Sequence, residues 1–444
     1  MASESKSSGG IVHQQKEKYE DALNAAIPEA DSIAAAGRLA EAVDTLMAVE
    51  KRARLSSDST STERAVRHII KLAAQYGTLS NVVEYIMVLS KRRAQLTKAI
   101  IGIVQEGVTV LEGVVDTEER VTLIDALRTV SEGKIFVEVE RARLTQHLAN
   151  IREAQGRVTE ACDVLQEVQV ETIADMDSRE KAEFLLQQMR LTLAVEDWVR
   201  SGIMAGKVSR PILAKEGFED LKLQFYDLLI TLHSHEQDTW ELHRDYLARY
   251  ETPGIHEEAL HRQQAMSYAV LYLAMTEWSD SVRDTMKEFL QKKHVTEELP
   301  PCAALLQALV TPEIIQWPLA GGASNIPQHS LFTSNPANLD TLHRRVVQHN
   351  LRVISACYTR IRFPRMCALL GLEPATAEKE LSDLVTSGTV YARIDRPAGV
   401  VSFVKPQAAP EVLGEFAGNL REVLGLIETT NHLIQREYMV HKMN

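Results

Sequence analysis

Aromatic residues make up only 5% of the 444-residue chain, and glycine and proline are sparse at 21 and 14, which argues against a sheet-rich or low-complexity protein. Four cysteines, Cys162, Cys302, Cys357 and Cys367, are too few and too scattered for a disulfide framework or a Cys-x-x-Cys metal site, and they fit a reducing compartment. No run approaches the eighteen apolar residues that a membrane-spanning helix needs. Basic surplus is absent too: the formal net charge of −12 excludes nucleic-acid binding by the chain as a whole. Residues Met1 to Gly10 lack an apolar centre, which rules against a signal peptide and predicts a disordered leader over 1–15.

What the chain does have is helix-forming composition, 45% hydrophobic and 25% charged, and internal repetition. Ala35 to Leu46 laid over Ala154 to Leu165 matches at Ala, Gly, Arg, Glu, Ala, Asp and Leu. Gly77 lies forty residues after Gly37, and Ala194 to Val199 and Asp238 to Leu242 continue the phase. Each unit has a small or polar turn residue followed by an amphipathic stretch. One helical hairpin cannot bury its apolar face alone, so such units stack into a solenoid. The reading is a predominantly all-α chain, with a TPR-like arm of helical hairpins over 16–310. Breaks are expected at Gly77, Gly113 to Thr117, Gly156, Ser201 to Pro211 and Thr252 to Gly254.

Between Thr311 and Asn338 the prolines and glycines crowd together, and 311–338 reads as a linker or exposed loop. Beyond it the pattern changes. A helix runs through Arg344, Val347, Leu351, Ile354 and Tyr358; a second begins at Pro364 and stops at Gly371; a third follows Pro374 and stops at Gly388. Two β-rich runs, Thr389 to Asp395 and Val400 to Val404, flank the turn Arg396-Pro397-Ala398-Gly399. Three helices and a wing predict a winged helix over 339–406. Its outer strand would offer unpaired backbone groups, making Val390, Tyr391, Ala392 and Arg393, or Val401, Ser402 and Phe403, candidate partner-binding edges. Residues 341–405 hold ten Lys/Arg against five Asp/Glu, but the third helix carries Glu378, Glu380 and Asp383, and phosphate repulsion opposes docking it in a groove.

A last helix within 411–444 places Phe416, Leu420, Val423, Ile427, Thr430 and Ile434 at alternating spacings of four and three, a heptad seam that needs a partner. Folding back onto the winged helix is the alternative use of that seam.

Three further patterns carry no chemistry. His233-Ser234-His235 opens like a zinc isopeptidase motif, but the serine and aspartate positions hold His243 and Tyr246, so both histidines read as solvent-facing. Gly202 to Val208 imitates a phosphate loop, yet it is one residue short and ends in valine where a hydroxyl is needed. Cys357 and Cys367 read as core thiols, and Lys91-Arg92-Arg93 as a solvated face or an inter-subunit salt bridge. No catalytic, cofactor-binding or metal-binding set is expected.

A repeat array leading into a winged helix and a terminal helix resembles the PCI-domain scaffolds of the proteasome lid, the signalosome and translation initiation. Leu89 to Leu96, Ser131 to Thr145, His349 to Ile354, Tyr358 to Ile361 and Val390 to Arg396 are similar, more specifically, to the lid subunits of the 26S proteasome regulatory particle, in the family of its fifth non-ATPase subunit, numbered twelve in animals. The resemblance implies a non-catalytic scaffold without a cofactor, working in ubiquitin-dependent protein degradation in cytoplasm and nucleus. Implied partners in a hetero-oligomer are other PCI lid subunits, joined through winged helices and a bundle of terminal helices, with the lid deubiquitinase, the ATPase ring and the core particle near the arm. A signalosome scaffold and an RNA-binding PCI subunit of translation initiation or export are the alternatives.

Overall fold

The computed structural model describes residues 19–253, 259–405 and 408–441; the expected leader over 1–15 lies outside them. Among the described residues there are twenty-two α-helices, joined by short turns, and one three-stranded sheet. The chain divides into two compact units, one ending at Gln237 and the other starting at Asp238.

The first unit is the repeat array. Its helices pair in sequence, from Glu20–Ala35 with Leu39–Leu55 through Ser178–Ala194 with Trp198–Lys207. The matched motif has a structural meaning. At Gly37 and Gly156 the backbone is left-handed, φ +80° and +79°. In both, the glycine N–H reaches back three residues and the following N–H five: Gly37 to Ala34 and Arg38 to Ile33, Gly156 to Glu153 and Arg157 to Arg152. That is a Schellman ending, which satisfies helix-terminal carbonyls while turning the chain into the next helix. Ser57 and Glu196 make the same pair of bonds at φ +59° and +61°, so these copies of the turn lack the glycine that marks the other two. The conserved spacing of Arg and Glu within the motif places Arg38 on Glu41 and Arg157 on Glu160 one turn later.

Polar bridges recur at the repeat period. His68 meets Asp31 at 2.7 Å, Arg143 meets Glu180 at 2.6 Å and Arg190 meets Glu153 at 2.5 Å, each pair 37 residues apart. Beneath them lie two successive apolar clusters, the first including Leu46, Ile69, Ile86, Ile103 and Leu148, the second Phe184 and Phe225. Close approach needs small residues: a Cβ on Gly107 would stand 2.6 Å from a methyl of buried Leu127.

The second unit holds the helices Thr239–Tyr250, Ala259–Met275, Asp280–Gln291 and Pro300–Val310, followed by the winged helix. The stretch 311–338 differs from expectation. It contains 3₁₀ turns at Gly321–Ala323 and Ile326–Gln328 and a short helix Ser330–Ser334, and it buries Leu319, Ile326, Leu331 and Phe332. Asn350 holds it from the winged-helix side, accepting from the Ile315 N–H and donating to the Ile315 carbonyl, both at 2.8 Å. Tyr268 and Ser267 hold it from the other side through Ser330 and His329, at 3.0 and 3.1 Å. Proline and glycine exclude a regular helix there, but they do not exclude burial, so the chain divides at Gln237 rather than at the proline-rich stretch.

Candidate partner interface

The winged helix starts on Pro336–Cys357, capped by the Asn335 side chain, which accepts the Ala337 N–H at 3.1 Å. Strand β1, Arg360–Arg362, follows; then come the helices Phe363–Leu370 and Pro374–Thr386, each with proline in its first turn and each ended by a left-handed glycine, Gly371 and Gly388. Strands β2, Arg393–Asp395, and β3, Val400–Ser402, form the wing. All pairing is antiparallel in the order β1-β3-β2, with Ile361, Val401 and Ile394 in one row and Arg360, Ser402 and Arg393 in the next. Val347, Leu351, Met366, Leu381 and Val401 fill the core beneath the sheet.

The register corrects half of the expected edge. Val401 and Ser402 lie in the central strand, bonded on both sides, and the Phe403 N–H donates to the Thr359 carbonyl at 3.0 Å, so Val401–Phe403 is not an edge. Val390 is buried in the core, Tyr391 is exposed, Ala392 is half-buried, and Arg393 begins edge strand β2. The second edge is β1, a strand the sequence reading missed because three residues carry no alternation long enough to read. Its signal was the β-branched and aromatic run Tyr358-Thr359-Arg360-Ile361-Arg362-Phe363 before Pro364, where the proline disfavours helix in the residue ahead of it.

Two arginines of the basic excess, Arg344 on the first helix and Arg396 in the wing turn, are paired with acids of the third helix. Arg344 bonds Glu380 and Asp383, at 3.1 and 2.7 Å, and Arg396 bonds Glu378 at 3.1 Å. The acidic third helix is thus the counterion for basic residues of its own domain.

Helix Ala409–His441 is thirty-three residues long and none of them is buried. Phe416, Leu420, Val423, Ile427, Thr430 and Ile434 are all exposed, Phe416 at 64%, and Leu413, Leu424 and Tyr438 widen the apolar surface. The described residues therefore do not cover the seam, and the fold-back alternative does not occur.

Three regions of the chain match known families: residues 41–258 match the family described as PSMD12/CSN4, N-terminal, residues 286–405 the PCI domain, and residues 411–442 the 26S proteasome regulatory subunit RPN5 C-terminal domain. The 26S proteasome non-ATPase regulatory subunit 12 of Dictyostelium discoideum is 37% identical over 98% of each chain. The chain belongs to this family. In Saccharomyces cerevisiae, the 26S proteasome regulatory subunit RPN5 is 32% identical over 95% of this chain and 96% of its own, and homolog A of subunit 12 in Arabidopsis thaliana is 34% identical over 91% and 98%.

In this member of the subunit 12 family the remaining sequence patterns resolve as structure. His235 is exposed but stacks flat on Trp198, ring centroids 3.8 Å apart, and His233 is half-buried, so the pair is not simply solvent-facing. Gly202 lies inside the helix Trp198–Lys207, and the Lys207 ammonium bonds Glu171 at 2.8 Å. Cys367 is a core thiol, raised in pKa by burial, whereas Cys357 is exposed at the end of its helix, a correction to its expected burial. Helical spacing carries residue 357 past the last buried turn, which ends at Ile354. No described helix is long and apolar enough to cross a membrane.

Proposed function

We propose that this chain is a non-catalytic scaffold of the proteasome regulatory-particle lid, supporting lid assembly and so ubiquitin-dependent degradation. The observation that carries the reading is the uncovered terminal helix. Thirty-three residues with a heptad seam and no buried side chain have no intramolecular reason to keep that pattern, whereas a helical bundle with neighbouring subunits would bury it. The exposed strands β1 and β2 give a second attachment, extension of the sheet by a neighbour's strand, with Tyr391 and Arg393 beside it. Other PCI lid subunits are the partners for both surfaces, in a hetero-oligomer. The repeat arm supplies a long acidic flank toward the lid deubiquitinase, the ATPase ring and the core particle, in cytoplasm and nucleus. The names of the relatives, which place them among non-ATPase regulatory subunits of the 26S proteasome, support this reading.

The family match over 411–442 favours the proteasome over the signalosome, since it is described for RPN5. The internal pairing of Arg344 and Arg396 weighs against the RNA-binding alternative. The test is affinity purification of the tagged chain from its own cells, native gel separation and mass spectrometry. Co-migration with lid subunits and proteasomal ATPases is expected. Recovery with RNA or initiation factors alone would overturn the reading.

A further inference from the structure

Arg352 lies on the long helix of the winged helix, and its guanidinium carbon sits 3.9 Å from the ring centre of Trp278. Trp278 stands in the turn between the helices Ala259–Met275 and Asp280–Gln291 and is itself half-buried. Arg352 is half-buried, and its guanidinium has no hydrogen-bond or ion-pair acceptor among the described residues. Its neighbours are all matched. Arg345, two turns earlier, donates to the Met275 carbonyl at 2.8 Å, to Gln348 at 2.8 Å and to Glu277 at 3.2 Å. His349 Nε2 lies 3.0 Å from the Glu313 carbonyl, and Arg344 is held by Glu380 and Asp383. Burial, and next the positive charge of Arg345, push the Arg352 guanidinium down to about 10, so the site destabilises its own charge.

Geometry shows what is left over. The guanidinium carbon lies over the Trp278 ring, and none of the five N–H donors has a hydrogen-bond acceptor among the described residues. Those donors lie in the plane, in the fork arrangement that takes a carboxylate through two parallel bonds. The chain's own nearby acids are engaged, Glu277 by Arg345 and Glu380 by Arg344. We infer that Arg352, seated over the Trp278 ring, is a docking point for an aspartate or glutamate side chain of a neighbouring subunit.

This inference rests on the lid reading and adds a third surface to it. A point of this kind gives register and specificity more than bulk affinity, because a wrong neighbour that offers no carboxylate leaves the guanidinium unmatched.

The experiment titrates the full-length chain, wild type or R352M, R352K and W278F, into a lid reconstituted from its remaining subunits, and reads the concentration for half-incorporation at several salt concentrations. Each free chain is also melted. The expected result is that R352M melts with the wild type yet needs at least about tenfold more protein, with a shallower salt dependence. R352K, which keeps the charge without the planar fork, and W278F, which weakens its support, fall between. If R352M does not fold, R352K decides, and a shift of about threefold or more is expected. Half-incorporation of R352M, or in that case of R352K, at the wild-type concentration overturns the inference and leaves the lid reading intact. Failure of the wild-type chain to incorporate removes both.

Discussion

The guanidinium of Arg92 closes on the carboxylate of Glu50, forty-two residues earlier, and Arg54 bonds the same carboxylate at 3.1 Å while donating to the Arg93 carbonyl. Glu50 is fully buried, so Arg92 of the run Lys91-Arg92-Arg93 belongs to an internal ion triad that fixes the turn after Leu79–Ser90 against Leu39–Leu55, while Lys91 and Arg93 are exposed, as a solvated face is.

Removing the shared acceptor strands two arginines in a desolvated place. Glu50→Ala is expected to cost about 3–5 kcal/mol, and Arg92→Met, which leaves Arg54 to neutralise the carboxylate, about 1 kcal/mol. Urea unfolding of both variants checks the order; equal losses would mean that the carboxylate is not shared.

Gly77 closes the helix Ser59–Tyr76, and a Cβ there would lie 2.7 Å from the Ala73 carbonyl oxygen and 2.8 Å from a Leu39 methyl. A backbone oxygen cannot step aside, so Gly77→Ala is expected to lose about 1–3 kcal/mol. Gly113 meets nothing within 4 Å, and Gly113→Ala stays within about 0.5 kcal/mol. Thermal melts of the pair test whether contact, rather than glycine content, decides.

Three histidines of the second unit, His243, His329 and His349, have pKa values lowered chiefly by burial. A lowered folded value means that the unfolded chain takes up protons first as the pH falls through about 6.5. Their stability contribution is therefore whole at pH 7 and above and declines below it, by up to about 1.4 kcal/mol per pH unit for each histidine. Trp198 lies in the first unit and Trp240, Trp278 and Trp317 in the second, so urea unfolding of W198F followed by tryptophan fluorescence at pH 7.5 and 5.5 isolates the effect. Greater stability at pH 5.5 would contradict it.

Leu420 and Ile427 are 51% and 58% exposed on the terminal helix. Substituting both with glutamate is expected to leave the melting temperature of the isolated chain within about 2 °C of wild type and to abolish lid incorporation. Incorporation at the wild-type level would show that the seam has no partner in the lid.

Much of the architecture was legible because its signals are local. Gly37 and Gly156 announce the repeat turn since only a residue tolerant of positive φ closes a helix that way, and Pro364 and Pro374 announce helix starts since their fixed φ suits the first turn. The heptad spacing from Phe416 to Ile434 announced a helix in need of company. Glu196 reaches the same left-handed backbone without glycine, at a turn that the forty-residue phase had placed within Ala194 to Val199. The edge of the sheet was misjudged at Val401 because strand order depends on every segment that pairs, and Arg360–Arg362, too short to show a period, takes an outer place beside it.

The sequence by itself determined the helical repeat, the winged helix and the terminal seam, since each follows from periodicity and from residues with restricted backbone choices. Only the tertiary structure decided how charges and loops are used: that Arg92 turns inward to Glu50, that Arg344 and Arg396 are neutralised within their own domain, that the proline-rich stretch 311–338 is packed, and that Arg352 is left without an acceptor. The physical reason is range. Backbone preference is set within a few residues, whereas these ion pairs and the packed loop depend on groups that lie eighteen or more residues apart in the chain and meet only when it folds.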